Sequence, residues 1–272
     1  GLITYTEAYN NHTDAEVIIN TTPCGMYPKI GESAIDIEKF PRLEAVVDAV
    51  YNPLSSALVV GARNKGINAI GGLYMLISQG VFASELFLNK KYPETLVDGI
   101  FEKIVKEKEN IVLIGMPASG KTTVGKALAE SLGKSFYDSD EEIVKKEGVS
   151  IPEIFASKGE KYFRECESQV IKELSALQGA VIATGGGAVL NPRNIDLLKG
   201  NGKVFFLDRN LDDMVATPDR PLSSTREDLE KRYKERYPIY CSSADYKINC
   251  SNDVAENVNA IKEVLKIENF SY

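Results

Sequence analysis

The stretch Gly115-Met116-Pro117-Ala118-Ser119-Gly120-Lys121-Thr122 fits G-x-x-x-x-G-K-[ST], the pattern of a phosphate-binding loop. It constrains the fold strongly, because such a loop works only between a strand and a helix. Both flanks are present. Asn110-Ile111-Val112-Leu113-Ile114 is a short apolar run rich in β-branched residues, and residues 124–132 are apolar at helical spacing up to Gly133. In that setting the loop N–H groups converge and the helix N-terminus adds partial positive charge. Gly115, Ala118, Ser119, Gly120 and Thr123 would complete the cradle, Lys121 would reach the outer phosphates and the Thr122 hydroxyl would meet Mg²⁺. ATP or GTP is the ligand this implies.

Composition narrows the partners. The 272 residues carry a net charge of −7, which argues against nucleic acid or an acidic membrane as partner. An anionic substrate therefore needs a local cluster of Arg and Lys. His12 is the only histidine, so a multi-histidine metal site and a His-based triad in the second half are excluded. Cys24, Cys166, Cys241 and Cys250 form no C-x-x-C pair, which points to free thiols in a reducing compartment. No apolar run reaches transmembrane length, so no membrane partner is expected and the cytoplasm is the expected location.

The first 95 residues alternate strand and helix patterns. Residues 1–14 are polar and read as the tail of an element cut off upstream. Val17-Ile18-Ile19-Asn20, residues 45–50 and residues 67–70 read as strands; residues 55–65 and 73–90 read as helices. Parallel β/α units follow from that alternation. Lys90-Lys91-Tyr92-Pro93 marks a break, and residues 96–108 read as a charged amphipathic helix. A domain boundary is expected near residue 95, giving domains 1–95 and 96–272.

Downstream of the loop, Phe136-Tyr137-Asp138-Ser139-Asp140 is a short strand ending in D-x-D. Ligands bind at the carboxyl ends of parallel strands, so both acids lie beside the phosphates. Residues 151–177 read as a helix broken near Gly159, with Arg164 and Glu167 on one face. Ala180-Val181-Ile182-Ala183 delivers Thr184 and the triplet Gly185, Gly186 and Gly187 to the same edge. Residues 204–207 form the next strand. Pro218-Asp219-Arg220-Pro221-Leu222 suits a lid. Residues 226–237 read as a charged helix with Arg232 and Arg236 one turn apart, stopped by Pro238. Residues 246–250 and 253–266 give the last strand and helix.

Two resemblances organise these elements. Asn20-Thr21-Thr22-Pro23 with Gly25-Met26, then Asp48-Ala49-Val50-Tyr51-Asn52-Pro53, then Gly71-Gly72-Leu73-Tyr74-Met75-Leu76 and Gln79 resemble the C-terminal part of the cofactor domain of shikimate dehydrogenase, over residues ~1–92. That resemblance implies Thr21, Thr22 and Met26 facing NADP, Gly72 and Met75 near the nicotinamide, and Tyr51 and Gln79 facing shikimate. The G-x-G-x-x-G loop of a dinucleotide fold is missing from residues 1–100. The segment therefore reads as a partial Rossmann-like fragment, inactive alone, with NADP a cofactor only for the complete dehydrogenase. It could associate with a missing dehydrogenase half.

Residues ~108–268 resemble shikimate kinase. The set is the phosphate loop, Asp138-Ser139-Asp140, Phe163-Arg164 with Glu167, Gly185-Gly186-Gly187, Asp219-Arg220-Pro221-Leu222, and Glu235-Arg236 followed by Pro238 and Tyr240. The resemblance implies an α/β P-loop kinase domain with a five-stranded parallel sheet between helices. The loop strand should be central and next to the strand ending at Ala183. It further implies transfer of the ATP γ-phosphate to shikimate in aromatic amino-acid biosynthesis. Lys121, Asp140 and Arg220 would be catalytic. Thr122 and Asp138 would hold Mg²⁺, with Arg220 also on the nucleotide. Asp140, Arg164, residues 185–187 and Arg236 would bind shikimate, with Glu167 holding Arg164.

Two departures qualify the resemblance. Ala118 replaces a glycine common in this loop, which is tolerated if its φ is negative. No adenine-stacking Arg is assigned in the short stretch between Leu207 and Arg220, leaving base preference open. Alternative readings are a gluconate kinase-like enzyme, a nucleotide-binding domain without turnover, and a docking role for residues 1–95.

Overall fold

The computed structural model describes residues 1–214 and 226–268. Two compact units divide the chain, one of Gly1–Glu107 with Lys199–Asn201, the other of Lys108–Leu198 and Gly202–Tyr272.

The first unit opens with α1 (Tyr5–Asn11), a helix with its own N-terminal cap, where the sequence reading has residues 1–14 as the tail of an upstream element. Thr4 and Glu7 form a capping box, a T-x-x-E signal that satisfies two helix-end donors reciprocally. Then come β1 (Val17–Asn20), β2 (Ala45–Asp48), α2 (Ala57–Asn64), β3 (Asn68–Ile70), α3 (Leu73–Leu88) and α4 (Thr95–Lys108). The strands form a parallel sheet in the order β1-β2-β3, with Ile18 beside Val46 and Val46 beside Ala69. Alternation sends Val46 and Ala69 into a core with Phe40, Leu43, Leu58, Val59 and Ala62. Val17, Ile19 and Ile70 are exposed.

The second unit runs β4 (Asn110–Ile114), α5 (Lys121–Leu132), β5 (Ser135–Asp138), α6 (Ser139–Glu147), α7 (Ile151–Ser175), β6 (Ala180–Ala183), α8 (Pro192–Asn201), β7 (Gly202–Arg209), α9 (Arg226–Ser243), β8 (Tyr246–Cys250) and α10 (Val254–Glu268). Its sheet is parallel and five-stranded in the order β5-β6-β4-β7-β8, so the loop strand is central and β6 is its neighbour. Every residue of β4 is buried, as a strand with helices on both faces requires. Val112 and Ile114 join Ile182, Val204 and Phe206 on one side. Ile111 and Leu113 join Val181, Phe205 and Leu207 on the other, under Leu128 of α5 and Ile261 of α10.

One local feature departs from the sequence reading. Pro238 lies inside α9, which continues to Ser243. Proline removes one helical hydrogen bond, but the apolar residues beyond it, Ile239 and Tyr240, pack into the core and carry the helix on. Helix α6 follows β5 directly: Asp138 caps it by accepting from the Asp140 N–H at 3.0 Å, and left-handed Gly148 ends it. The break within α7 is at Gly159, as expected, with φ of 79°. Among the described residues, no helix is long and apolar enough to cross a membrane.

Candidate active site

The site is built at the carboxyl ends of β4, β5 and β6. After Ile114 the backbone enters conformations that L-residues rarely adopt. Gly115 has φ of 150° and Gly120 has φ of 90°. A Cβ on Gly115 would lie 2.8 Å from the Leu207 carbonyl oxygen, so glycine is required there for close packing as well as for φ. Ala118 has φ of 65°, so the condition of a negative angle is not met. A Cβ in the left-handed region costs about 1–2 kcal/mol, a strain held by the surrounding loop.

The Lys121 ammonium donates to the carbonyls of Gly115 at 2.9 Å and Met116 at 2.8 Å, and the residue is buried. The amine is thereby pinned beneath the loop. Ser119 Oγ is buried and has no hydrogen-bond partner among the described residues, while Thr123 is exposed. Thr122 Oγ1 donates to Asp138 Oδ2 at 2.7 Å. This hydroxyl–carboxylate pair at a helix N-terminus is the oxygen donor set a hard divalent cation takes. Asp138 also caps α6, so the cap fixes both acids of the D-x-D.

The glycine triplet makes room for three different neighbours. A Cβ on Gly185 would sit 2.5 Å from Asp140 Oδ1 and 3.1 Å from Glu167 Oε1. One on Gly186 would sit 2.8 Å from Pro117 Cδ of the phosphate loop. One on Gly187 would overlap the Arg164 guanidinium. The Gly185 N–H donates to Ser139 Oγ at 2.8 Å, which ties the triplet to the start of α6.

Two arginines flank the triplet. Arg164 pairs with Glu167 at 2.8 Å and Glu160 at 3.1 Å. Glu167 is only 2% exposed, so the pair is not the surface pair its spacing also allows. Burial pushes the Glu167 carboxyl above its usual range against the pull of Arg164, and the nearby Asp140 charge adds to the rise. Its Oε1 has no hydrogen-bond partner among the described residues. Arg236 is buried and donates from Nη1 to the Gly186 carbonyl at 3.2 Å.

Asp140, Arg164, residues 185–187 and Arg236 thus converge beside the phosphate loop. Arg220, with the rest of residues 218–222, lies outside the described residues. Sequence reasoning missed Arg209, although it lies in the stretch between Leu207 and Arg220. A Cβ on Gly120 would lie 3.6 Å from its Nη1, and its Nη2 donates to Asn252. In the first unit, Thr21, Thr22, Met26, Tyr51, Met75 and Gln79 are exposed. Gly72 is buried, where a Cβ would strike the Ala49 carbonyl.

A parallel sheet with the loop strand central, a loop lysine held on loop carbonyls, and a loop threonine on the carboxylate at the end of β5 define a P-loop phosphotransferase. The shikimate kinase family model matches residues 117–266, and the chain belongs to that family. A shikimate kinase of Clostridium beijerinckii is 40% identical over 162 residues, covering 58% of this chain and 95% of the relative. The structure of a shikimate kinase from Acinetobacter baumannii in complex with shikimate is 37% identical, with a TM-score of 0.56, covering 61% of this chain and 97% of that one. The N-terminal region is similar to part of a chorismate mutase/shikimate 5-dehydrogenase fusion protein from Clostridium acetobutylicum, 42% identical over 36% of each chain, with a TM-score of 0.34.

Proposed function

We propose that residues 96–272 transfer the γ-phosphoryl group of ATP to the 3-hydroxyl of shikimate, and that residues 1–95 are an incomplete NADP-domain segment without activity of its own. The observation that carries the reading is the convergence of Asp140, Arg164 and Arg236 on residues 185–187, next to Pro117 of the phosphate loop. A triphosphate on the loop and a carboxylate-bearing acceptor on the arginines then meet at one sheet edge. The free thiols of the described cysteines fit a reducing, cytoplasmic setting.

The roles follow from chemistry. Gly115, Ala118, Ser119, Gly120 and Thr123 supply loop backbone around the phosphates, and Lys121 supplies charge. Thr122 and Asp138 would hold Mg²⁺, which neutralises phosphate charge when bound. Arg164 and Arg236 clamp the shikimate carboxylate, because a planar guanidinium matches two carboxylate oxygens. Glu167 holds Arg164, and the Gly186 and Gly187 amides border the ring. Asp140 accepts the proton of the attacking hydroxyl as the new O–P bond forms and the bond from the γ-phosphorus to the bridging oxygen breaks, releasing ADP. Arg220 is assigned to the transferring phosphate.

Product analysis tests this. Incubation with ATP, Mg²⁺ and shikimate should give one monophosphate ester, placed at the 3-hydroxyl by ³¹P–¹H correlation. Phosphorylation at another hydroxyl, or faster phosphorylation of gluconate, would refute it.

A further inference from the structure

Tyr240 is fully buried and has no part in the chemistry described so far. Its ring stacks on Phe206 of β7, with centroids 5.1 Å apart and planes 16° from parallel. Phenylalanine would fill that volume equally well. What the hydroxyl adds is a hydrogen bond of 2.6 Å to the Gly186 carbonyl. Arg236, one helical turn earlier on α9, donates to the same oxygen at 3.2 Å. A carbonyl oxygen has two lone pairs, and here both are taken by side chains of one helix.

That double contact fixes more than an oxygen. The Gly186 C=O and the Gly187 N–H belong to one planar peptide unit, and in a trans unit they point in opposite directions. Holding the carbonyl against α9 therefore turns the Gly187 N–H away from α9. Glycines on both sides of this unit leave the peptide plane little other restraint. We propose that Tyr240 is a positioning residue: by anchoring the Gly186 carbonyl together with Arg236, it aims the Gly187 N–H at the bound shikimate. The inference rests on shikimate being the acceptor. Burial pushes the Tyr240 hydroxyl up to about 12, so it remains a donor at neutral pH.

The anchor also frees Arg236. With Tyr240 sharing the hold on Gly186, one guanidinium nitrogen suffices for the loop, and the rest of the fork can face a carboxylate.

Tyr240→Phe is the test, because it keeps the Phe206 stack and removes only the hydroxyl. Wild type and variant are compared for Kd and KM of shikimate and of ATP, and for melting temperature. The shikimate constants should rise about three- to tenfold, the effect of one lost hydrogen bond, while those for ATP move less than about twofold. Unchanged shikimate constants would overturn the proposal, and so would equal weakening of both ligands. A second measurement needs no variant: the ¹⁵N-labelled Gly187 amide of the wild type should shift strongly on adding shikimate, and an unmoved resonance overturns the proposal. Wild-type turnover with no effect of Tyr240→Phe removes the positioning role alone. Absence of wild-type turnover removes the function and this inference together.

Discussion

Lys121 is oriented by two backbone carbonyls, those of Gly115 and Met116. Both carbonyls hold the ammonium beneath the loop, where the proposed reading puts the phosphate oxygens. Lys121→Ala should lower kcat by at least about a hundredfold, the scale of losing one preorganised electrostatic partner, with the circular dichroism spectrum unchanged. Near-normal turnover by the folded variant would remove its role. Arg236 tests the acceptor side. Arg236→Ala should weaken shikimate binding roughly tenfold to over a hundredfold, as loss of a charged hydrogen-bond partner does, and ATP binding by less than about threefold. Titrating each ligand separately decides it, and equal losses would take Arg236 out of the shikimate site. Glu167 gives a pH test. Burial raises its carboxyl above the ordinary 4.5, so between that value and the raised one the folded chain keeps a proton that the unfolded chain has lost. Its favourable contribution is complete below 4.5, and unfolding free energy falls as pH rises through the window. Urea unfolding at stepped pH should show that slope in wild type and a flatter profile in Glu167→Gln; identical slopes would contradict it.

At the scale of elements, the glycine triplet is read best through what it admits. Gly187→Ala would place a methyl group where the Arg164 guanidinium lies. Shikimate affinity should fall at least about tenfold while the sheet persists, since β6 ends before the triplet at Ala183. Retained affinity, measured by titration, would mean that Arg164 does not face the ligand. Much of this arrangement is legible in sequence, because each motif sits at the end of an apolar run whose period fixes its element. The helix break at Gly159 follows from the same patterns, whereas the strand order is implied by the resemblance alone. The rest depends on tertiary context. The spacing of Arg164 and Glu167 shows a shared face but not burial against Gly185. Pro238 looks like a stop, yet α9 runs through it because Tyr240 is wanted in the core. Ala118 takes a left-handed angle that its residue type disfavours. Arg209 carries no pattern of its own, and only the fold brings it to Gly120.

At the largest scale the chain holds two units with different sheets. The second contains the five-stranded sheet in the order β5-β6-β4-β7-β8 and, in the proposed reading, both sides of a phosphotransfer site. The first has a three-stranded parallel sheet, and residues 1–100 contain no G-x-G-x-x-G loop to receive a pyrophosphate. Purified chain given shikimate and NADP should therefore form no NADPH, followed by absorbance; steady formation would contradict the reading of residues 1–95 as inactive. In the proposed reading, one sheet edge holds the triphosphate on residues 115–123 and the acceptor on Asp140, Arg164, residues 185–187 and Arg236. A crystal structure with shikimate, Mg²⁺ and a non-hydrolysable ATP analogue measures this most directly. The expected result is the shikimate carboxylate on Arg164 and Arg236, with its 3-hydroxyl within hydrogen-bond reach of Asp140 and facing the γ-phosphate. Shikimate bound away from residues 185–187, or turned with its carboxylate toward the phosphate loop, would contradict the account.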